Sequence, residues 1–385
     1  MAMSGGVDSS VAAALLVEKG YEVVGATMKT FCYEETPENP RTCCGLDGIL
    51  DARRVADRLG VPHYVFDVEE DFTRDVIDDF VEEYALGRTP NPCVNCNGTT
   101  KFAGLLERGE ALGCDTIASG HYVRIVHEGG RSRLLRGLDP AKDQSYYMWG
   151  VPAELLPRLL FPVGELTKAE VRERARALGL ATAEKPESQD ICFVPAGSYR
   201  DLLARRLPAR HPALQPGPVV TRNGDLVGRH DGYSGFTVGQ RRGLGGGMNE
   251  RMFVLEIRPE TREVVVGARD ELYAKGVEIN SLNWLGPEAD AGERLRLQIR
   301  YRGAITSGTV VGRDSTGSVS FEFDEPVRAV SPGQSAVFLT AADEVRGGGR
   351  IERAQRLMPD ALANSSIAES SSSDRSFGMV TLTST

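Results

Sequence analysis

The run SGGVDSS at positions 4–10 combines two glycines with hydroxyl and carboxylate side chains, a mixture suited to binding an anion. The apolar residues Val11, Leu15 and Leu16 then recur at helical spacing, so the glycines lead directly into a helix N-terminus. Backbone N–H groups and the positive end of the helix dipole meet there, and glycines let an anion approach closely. An ordinary helix start capped by Ser or Asp is the alternative. The pattern favours a phosphate-binding loop, which is not of the Walker type because no lysine follows the glycines.

Three cysteines offer a second kind of chemistry. Cys93 and Cys96 form a C-x-x-C motif after a Pro-Asn-Pro sequence, and Cys192 stands far downstream among polar residues. A lone C-x-x-C fits half of a zinc site, a redox pair or two buried thiols. Cys192 by itself is equally consistent with a small core residue. These residues alone therefore leave the role of the thiols open.

The elements that must position these residues alternate between strand and helix in the first half of the chain. Short buried strands are predicted over 21–28, 63–68 and 116–121, with helices over 49–59 and around 103–112. This alternation predicts an α/β fold with a doubly wound parallel sheet and ligands at the carboxyl ends of its strands. After about Pro195 the alternation stops, and closely spaced short strands from about Phe253 predict a small β-barrel or sandwich. Residues 355–385 lose periodicity and are predicted to form a disordered tail.

The composition is that of a globular protein. With 385 residues, 41% hydrophobic and 26% charged, the chain can form two or three domains with ample cores. No segment approaches the roughly 18 to 20 apolar residues of a membrane span, and no signal-peptide pattern opens the chain, so we expect a cytoplasmic protein without a membrane partner. The net charge of −9 argues against a generally basic nucleic-acid coat, but it leaves room for local basic patches such as 300–302 and 240–242.

The loop at 4–10 resembles the PP-loop of the ATP pyrophosphatases, enzymes that cut ATP between its α and β phosphates. Further segments resemble, in order and spacing, the tRNA-specific 2-thiouridylases: GRTPNPCVNCN, GHYVR, LLRGLDPAKDQSYY, FPVGELTKAEVR, ESQDICF, FTVGQRRGLG and SPGQSAVF. This resemblance runs from residue 3 to about 353. It implies a PP-loop catalytic domain over 1–197, a small central adaptor domain over 198–268, a tRNA-contacting β-barrel over 269–354, and a tail over 355–385. Members normally carry several apolar residues before the loop, whereas three residues precede Ser4 here, so we expect a short first strand.

The resemblance implies thiolation of the wobble uridine of certain tRNAs at C2. ATP would adenylate the base oxygen, and a cysteine persulfide would deliver the sulfur. By position, Cys192 matches the persulfide-carrying cysteine, and Cys96 matches the partner that closes a disulfide with it. Release of a persulfide sulfur by a neighbouring thiolate follows the usual thiol–disulfide route, which requires the two Cα atoms to come within roughly 7 Å.

The same match assigns binding residues. Those for ATP are Ala2, Met3, Ser4, Gly5, Gly6, Val7, Asp8, Ser9, Met28 and Gly120, with Asp8 helping to hold Mg²⁺. Those for the target base are Asn91, Pro92 and Cys93, and those for the rest of the tRNA are His121, Lys142, Asp143, Gln144, Arg300, Tyr301 and Gln334. A core position is the alternative for Met28, a hydrogen-bonded strand end for His121, and a solvated surface for the residues at 142–144 and 300.

Cys93 departs from part of the family, in which some members carry an aspartate that acts as a general base. A thiolate would serve here only if its pKa were depressed. Alternatively, Cys93, Cys96 and Cys192 would hold a metal or an iron–sulfur cluster with one open site for the extra sulfur. The resemblance also implies a protein sulfur donor, either a cysteine desulfurase or a relay protein. Two other functions remain as alternatives: another PP-loop ligase that forms amides, and a metal-bearing RNA-binding protein.

Overall fold

The computed structural model describes residues 1–30, 46–186, 191–194, 198–244 and 251–357. Most of the predicted tail, from residue 358 onward, lies outside the described residues. Within the part of the chain that is described, no helix is both long and apolar enough to cross a membrane.

The first domain alternates helices with short parallel strands. Its helices are α1 Val7–Glu18, α2 Leu46–Leu59, α3 Glu69–Phe72, α4 Asp79–Ala85, α5 Pro92–Asn95, α6 Gly104–Glu110 and α7 Lys168–Ala177, with π-helical segments at Thr73–Asp78 and Cys96–Ala103 and 3₁₀ turns at Ser145–Tyr147 and Ala153–Arg158. Its strands are β1 Gly25–Lys29, β2 His63–Asp67, β3 Ile117–Ala118, β4 Val123–Glu128, β5 Arg131–Arg136 and β6 Leu159–Leu160. The pairs β1–β2 and β3–β6 are parallel, and β4–β5 is an antiparallel hairpin.

The N-terminal residues join the two parallel pairs. The Met3 amide donates to the Ala26 carbonyl on one side, and the Ala2 amide donates to the Ala118 carbonyl on the other, both at 2.8 Å. The spatial order is therefore β2, β1, residues 1–3, β3, β6. Residues 1–3 end where the glycine loop begins.

The strands are shorter than the sequence predicted at two places. The strand predicted over 21–28 begins only at Gly25 and extends to Lys29, and Tyr21 lies exposed before it. The strand predicted over 116–121 ends at Ala118, after which the chain turns towards the glycine loop. The helix predicted around 103–112 begins earlier, because α5, the π-helical segment Cys96–Ala103 and α6 follow one another without a break. The π-helical geometry starts at a candidate thiol, and such segments recur at functional sites.

The rest of the chain is mostly β. It carries α8 Tyr199–Arg206, 3₁₀ turns at Pro212–Leu214, Tyr233–Gly235 and Asp270–Leu272, and a four-stranded sheet in the order β8 Leu226–His230, β7 Gly217–Thr221, β10 Glu263–Gly267 and β9 Phe253–Arg258. Six strands then close a barrel in the order β11 Tyr273–Trp284, β14 Val319–Arg328, β13 Ile305–Arg313, β12 Arg294–Gln298, β15 Ser335–Leu339 and β16 Val345–Arg356. Phe321 and Phe338 fill its interior. The sequence predicted a small β-barrel or a sandwich, and the structure has a closed barrel.

The helical run that begins at Pro92 carries Cys93 and Cys96, and we call it the thiol helix. Residues 145–151, which we call the junction segment, contact the thiol helix on one side. The Asn97 side-chain amide donates to the Tyr147 carbonyl at 3.1 Å. A Cβ built on Gly98 would lie 2.3 Å from the Gly150 carbonyl oxygen, so only glycine allows this approach. The helix and the junction segment are therefore in direct backbone contact.

The junction segment contacts the barrel on its other side. The Tyr146 hydroxyl donates to the Ser335 carbonyl at 3.1 Å. The Asn283 side-chain amide donates to the carbonyls of Trp149 and Val151, at 2.5 and 2.8 Å. The barrel thus docks on the strip of chain that also supports the thiol helix.

Candidate active site

The glycine loop forms a helix start without a side-chain cap. Gly6 is the N-cap residue of α1, and among the described residues no side-chain cap hydrogen bond is made at this helix start. The Ser9 and Ser10 hydroxyls instead donate back to the Gly6 carbonyl, at 3.1 and 2.8 Å. Gly5 has φ +69°, and a Cβ there would lie 2.1 Å from the Gly48 carbonyl oxygen. The amides that an anion would need are left available, which differs from the capped helix start considered as the alternative.

Asp8 is held by two side chains from outside the loop. The Lys168 ammonium lies 2.7 and 2.8 Å from its two carboxylate oxygens, and the Tyr122 hydroxyl donates to one of them at 2.6 Å. Lys168 is the first residue of α7. Sequence reasoning missed this lysine, although it belongs to the quoted segment FPVGELTKAEVR.

A second lysine reaches the same loop. The Lys185 ammonium donates to the Gly5 carbonyl at 3.1 Å and to the Asp51 carboxylate at 2.6 Å. It was also missed, and it lies just before the segment that leads to Cys192. The two lysines provide the positive charge that the loop itself lacks.

The predicted nucleotide residues gather at the carboxyl ends of neighbouring strands. Ala2 and Met3 lead into the loop, Met28 is buried near the end of β1, and Gly120 follows β3. A Cβ on Gly120 would lie 2.6 Å from the Ser9 amide nitrogen. This position is where ligands bind in doubly wound sheets.

The three candidate thiols differ in exposure but lie in one region. Cys93 is exposed on α5, whereas Cys96 and Cys192 are partly buried and pack against the same hydrophobic cluster, which includes Phe80 and Phe193. Among the described residues, which include these cysteines, no group of three or more His, Cys, Asp or Glu side chains is arranged to hold a metal ion.

The barrel supports the loop that precedes the thiols. The Gln334 side-chain amide donates to the Thr89 carbonyl at 2.8 Å, and the Asn91 side chain donates to the Ser335 hydroxyl at 3.5 Å. Pro92 then occupies the first turn of α5, where its missing N–H costs nothing. Residues predicted to contact the base and the tRNA are therefore brought to one boundary between the two domains.

Lys142 and Asp143 line a cleft at this boundary. Lys142 and Asp143 face Gln298 and Arg302 across a cavity of about 490 Å³. Asp143 is buried and accepts hydrogen bonds from the Arg136 guanidinium at 2.6 Å and from the Gly137 amide at 3.0 Å, so the surface alternative does not hold for it.

The neighbouring Gln144 and Arg300 make contacts within the protein. The Gln144 side chain accepts from the Tyr122 amide at 2.9 Å. The Arg300 guanidinium donates to the carbonyls of Arg328 and Ala329, and burial lowers its pKa. Both side chains therefore hold main-chain groups of the protein in place.

His121 lies beside the carboxyl end of β3. Its Nδ1 is 2.7 Å from the Ser119 hydroxyl, and its ring contacts Phe102 and Phe161. Burial, with a smaller effect from the Lys101 ammonium, holds the pKa of His121 well below its usual range. The imidazole is therefore neutral near pH 7 and offers one donor and one acceptor.

These features define a class of protein. It has an α/β domain with a PP-loop type of nucleotide site, and a barrel that contacts the loop at residues 89–91, just before Cys93, which we call the thiol loop. Comparisons with known proteins agree with it. The chain matches the family models "tRNA methyl transferase HUP domain" over residues 1–196, "tRNA methyl transferase PRC-barrel domain" over 201–268 and "Aminomethyltransferase beta-barrel domain" over 274–351.

Curated relatives identify the family. The chain is 48% identical to the tRNA-specific 2-thiouridylase MnmA of Carboxydothermus hydrogenoformans, over 92% of this chain and 97% of the relative. It is 45% identical to the protein of the same description from Deinococcus radiodurans, over 93% of both chains. The chain belongs to the tRNA-specific 2-thiouridylase family, which confirms the resemblance and the predicted fold class.

Proposed function

We propose that this protein thiolates C2 of the wobble uridine in tRNA anticodons in an ATP-dependent reaction. The observation that carries the proposal is the packing of the Cys96 and Cys192 side chains against one hydrophobic cluster, in a domain whose glycine loop leads to an uncapped helix N-terminus. In this proposal residues 1–197 form the catalytic domain, 198–268 the adaptor domain and 269–354 the tRNA-contacting barrel. We place the reaction in the cytoplasm.

The activation step uses the glycine loop and its two lysines. The amides at the start of α1, together with Lys168 and Lys185, bind the phosphates of ATP. The O2 oxygen of the target uracil attacks the α-phosphorus, pyrophosphate leaves, and the N3 proton passes to a base. The product is an adenylated uracil, whose C2 carries adenylate as a good leaving group.

Asp8 is the residue that would hold Mg²⁺, because this ion binds through one or two carboxylates together with substrate phosphates. When bound there, the ion would neutralise charge on the leaving pyrophosphate. The Lys168 ammonium occupies both Asp8 oxygens in this structure, so it would have to move from the carboxylate towards the phosphates.

The sulfur step uses the two partly buried thiols. A protein sulfur donor loads Cys192 as a persulfide, and the terminal sulfur of that persulfide attacks C2 while adenylate leaves. The Cys96 thiolate then attacks the Cys192 Sγ, so that a Cys96–Cys192 disulfide forms and 2-thiouridine is released. An external thiol reductant restores both cysteines. No step is assigned to an iron–sulfur cluster, because the described residues lack a converging ligand set.

The boundary between the domains would bind the anticodon. Asn91, Pro92 and Cys93 would contact the flipped base, because C2 is not accessible within a stack. The remaining proposed tRNA contacts are His121, Lys142, Asp143, Gln144, Arg300, Tyr301 and Gln334. The location of Lys142 and Asp143 in one cleft, and the hydrogen bond of Gln334 to the loop before the thiols, support the proposal.

The test compares wild type, Cys192→Ser and Cys114→Ser in a mixture of tRNA, ATP, a cysteine desulfurase with free cysteine as the persulfide donor, and a thiol reductant, with 2-thiouridine measured by mass spectrometry. Wild type and Cys114→Ser should form product, and Cys192→Ser should not. Equal product from wild type and Cys192→Ser would refute the carrier role. Turnover of a small-molecule acceptor without any need for Cys192 would instead support an amide-forming ligase.

A further inference from the structure

Two tyrosines that meet across the domain boundary form an aromatic surface beside the thiol loop. The ring centroids of Tyr147 and Tyr301 lie 4.6 Å apart with their planes at 40°. Tyr147 belongs to the junction segment, and Tyr301 follows strand β12 of the barrel. Both side chains are partly buried, so the pair is neither a core contact nor a free surface.

The position of Tyr147 relative to Cys93 is the second observation. Burial raises the pKa of the Tyr147 hydroxyl, and the nearby Cys93 thiol raises it further. The Tyr147 backbone is held by Asn97, one turn after Cys93 on the same helical run. The Tyr147 side chain therefore lies near the residue that would meet the target base.

The neighbouring Tyr146 provides a comparison within the same segment. Tyr146 is 1% exposed, and its hydroxyl donates to the Ser335 carbonyl, so its role in holding the barrel is evident. The Tyr147 side chain is only partly buried, and its ring contacts the Tyr301 ring. Docking of the barrel thus explains the position of Tyr146 but not that of Tyr147.

A base that leaves its stack loses stacking energy, and aromatic side chains compensate by offering a new π-face. We propose that Tyr147 stacks on the flipped target pyrimidine and holds it beside the thiol loop, with Tyr301 supporting the Tyr147 ring. This inference rests on the proposed function. It names Tyr147 as a residue that binds the base, in addition to the contacts described above.

The test measures binding of two anticodon stem-loops, one with uridine at the wobble position and one with an abasic site there. Wild type should prefer the uridine RNA. Tyr147→Leu should lower this preference by about 5- to 150-fold, the range for loss of one base–aromatic stack. Tyr147→Phe should retain the preference. Tyr64→Leu is the matched control, because Tyr64 is an exposed aromatic residue on β2 that pairs with Phe66.

Three results would overturn the inference. They are the absence of a preference in wild type, an unchanged preference in Tyr147→Leu, and equal weakening of both RNAs, which a purely structural role would produce. A second measurement needs only wild type: 5-iodouridine at the wobble position, once irradiated, should crosslink to the peptide that contains Tyr147. Crosslinks found only elsewhere would refute the assignment.

The same samples separate this inference from the proposed function. If wild type forms no 2-thiouridine, the proposed function fails whatever the binding data show. If wild type forms 2-thiouridine while Tyr147→Leu keeps its preference for the uridine RNA, only the role of Tyr147 fails.

Discussion

Replacing Gly120 with alanine tests whether the contact between β3 and the glycine loop maintains the ATP site. The added Cβ would lie 2.6 Å from the Ser9 amide nitrogen and 2.7 Å from the Asp8 carbonyl carbon, whereas ordinary contacts begin near 3.4 Å. The backbone must therefore separate by about 0.8 Å, measured against the 3.4 Å limit. Both neighbours are main-chain atoms of the first turn of α1, so no flexible side chain can move aside.

The cost of such overpacking is about 1–3 kcal/mol. If the first turn of α1 moves, ATP affinity should fall by about 5- to 150-fold, because each 1.4 kcal/mol is a factor of ten. If the turn stays in place, the same strain should lower the free energy of unfolding. Titration calorimetry with ATP and thermal unfolding measure the two outcomes. Gly312→Ala is the control, since a Cβ there meets nothing within 4 Å. The reasoning is refuted if Gly120→Ala matches Gly312→Ala in both measurements.

Three further outcomes are expected. Lys168→Met should weaken ATP binding by about 10- to 150-fold, because a charged hydrogen-bonding group next to Asp8 is lost; an unchanged dissociation constant in calorimetry would contradict this. Asn283→Ala should lower the free energy of unfolding by about 1–3 kcal/mol, since two carbonyls of the junction segment lose their donor; urea unfolding measures it, and a wild-type curve would show that the contact is dispensable. The pKa of His121 is lowered in the folded protein, so below about pH 6.5 the unfolded chain binds a proton at this residue that the folded protein does not bind. As the pH is lowered from 6.5, the free energy of unfolding should therefore fall by about 1.4 kcal/mol per pH unit until the lowered pKa is reached. His121→Gln should remove this dependence in urea unfolding at different pH values, whereas the exposed His127→Gln should keep it, and identical pH profiles for the two variants would disprove the assignment.

The parts of the site that depend on neighbouring residues could be predicted from the sequence. The glycine loop and α1 are adjacent in the chain, so composition and helical spacing were enough to place them together. The predicted strands at the sheet were correct in type and order, although Ile117–Ala118 is much shorter than expected. The turn after Ala118 depends on the approach of Gly120 to Ser9, which no local pattern encodes.

The contacts that complete the nucleotide site join distant parts of the chain, so they could not be predicted from local sequence patterns. Lys168 reaches Asp8 across 160 positions, and Lys185 reaches Gly5 across 180. Asp143 reads as a surface carboxylate in a polar stretch, but it is buried because Arg136 and nearby amides satisfy it. Buried charges need such partners, and only the tertiary structure supplies them.

The junction segment has a consequence for how this protein can be recombined with its relatives. Its backbone carbonyls accept from Asn97 of the thiol helix and from Asn283 of the barrel, so both domains contact the same few residues. A chimera that takes the barrel of a distant relative would need that relative's version of residues 145–151 as well. The two domains are thus expected to be exchangeable only together with the strip of chain between them.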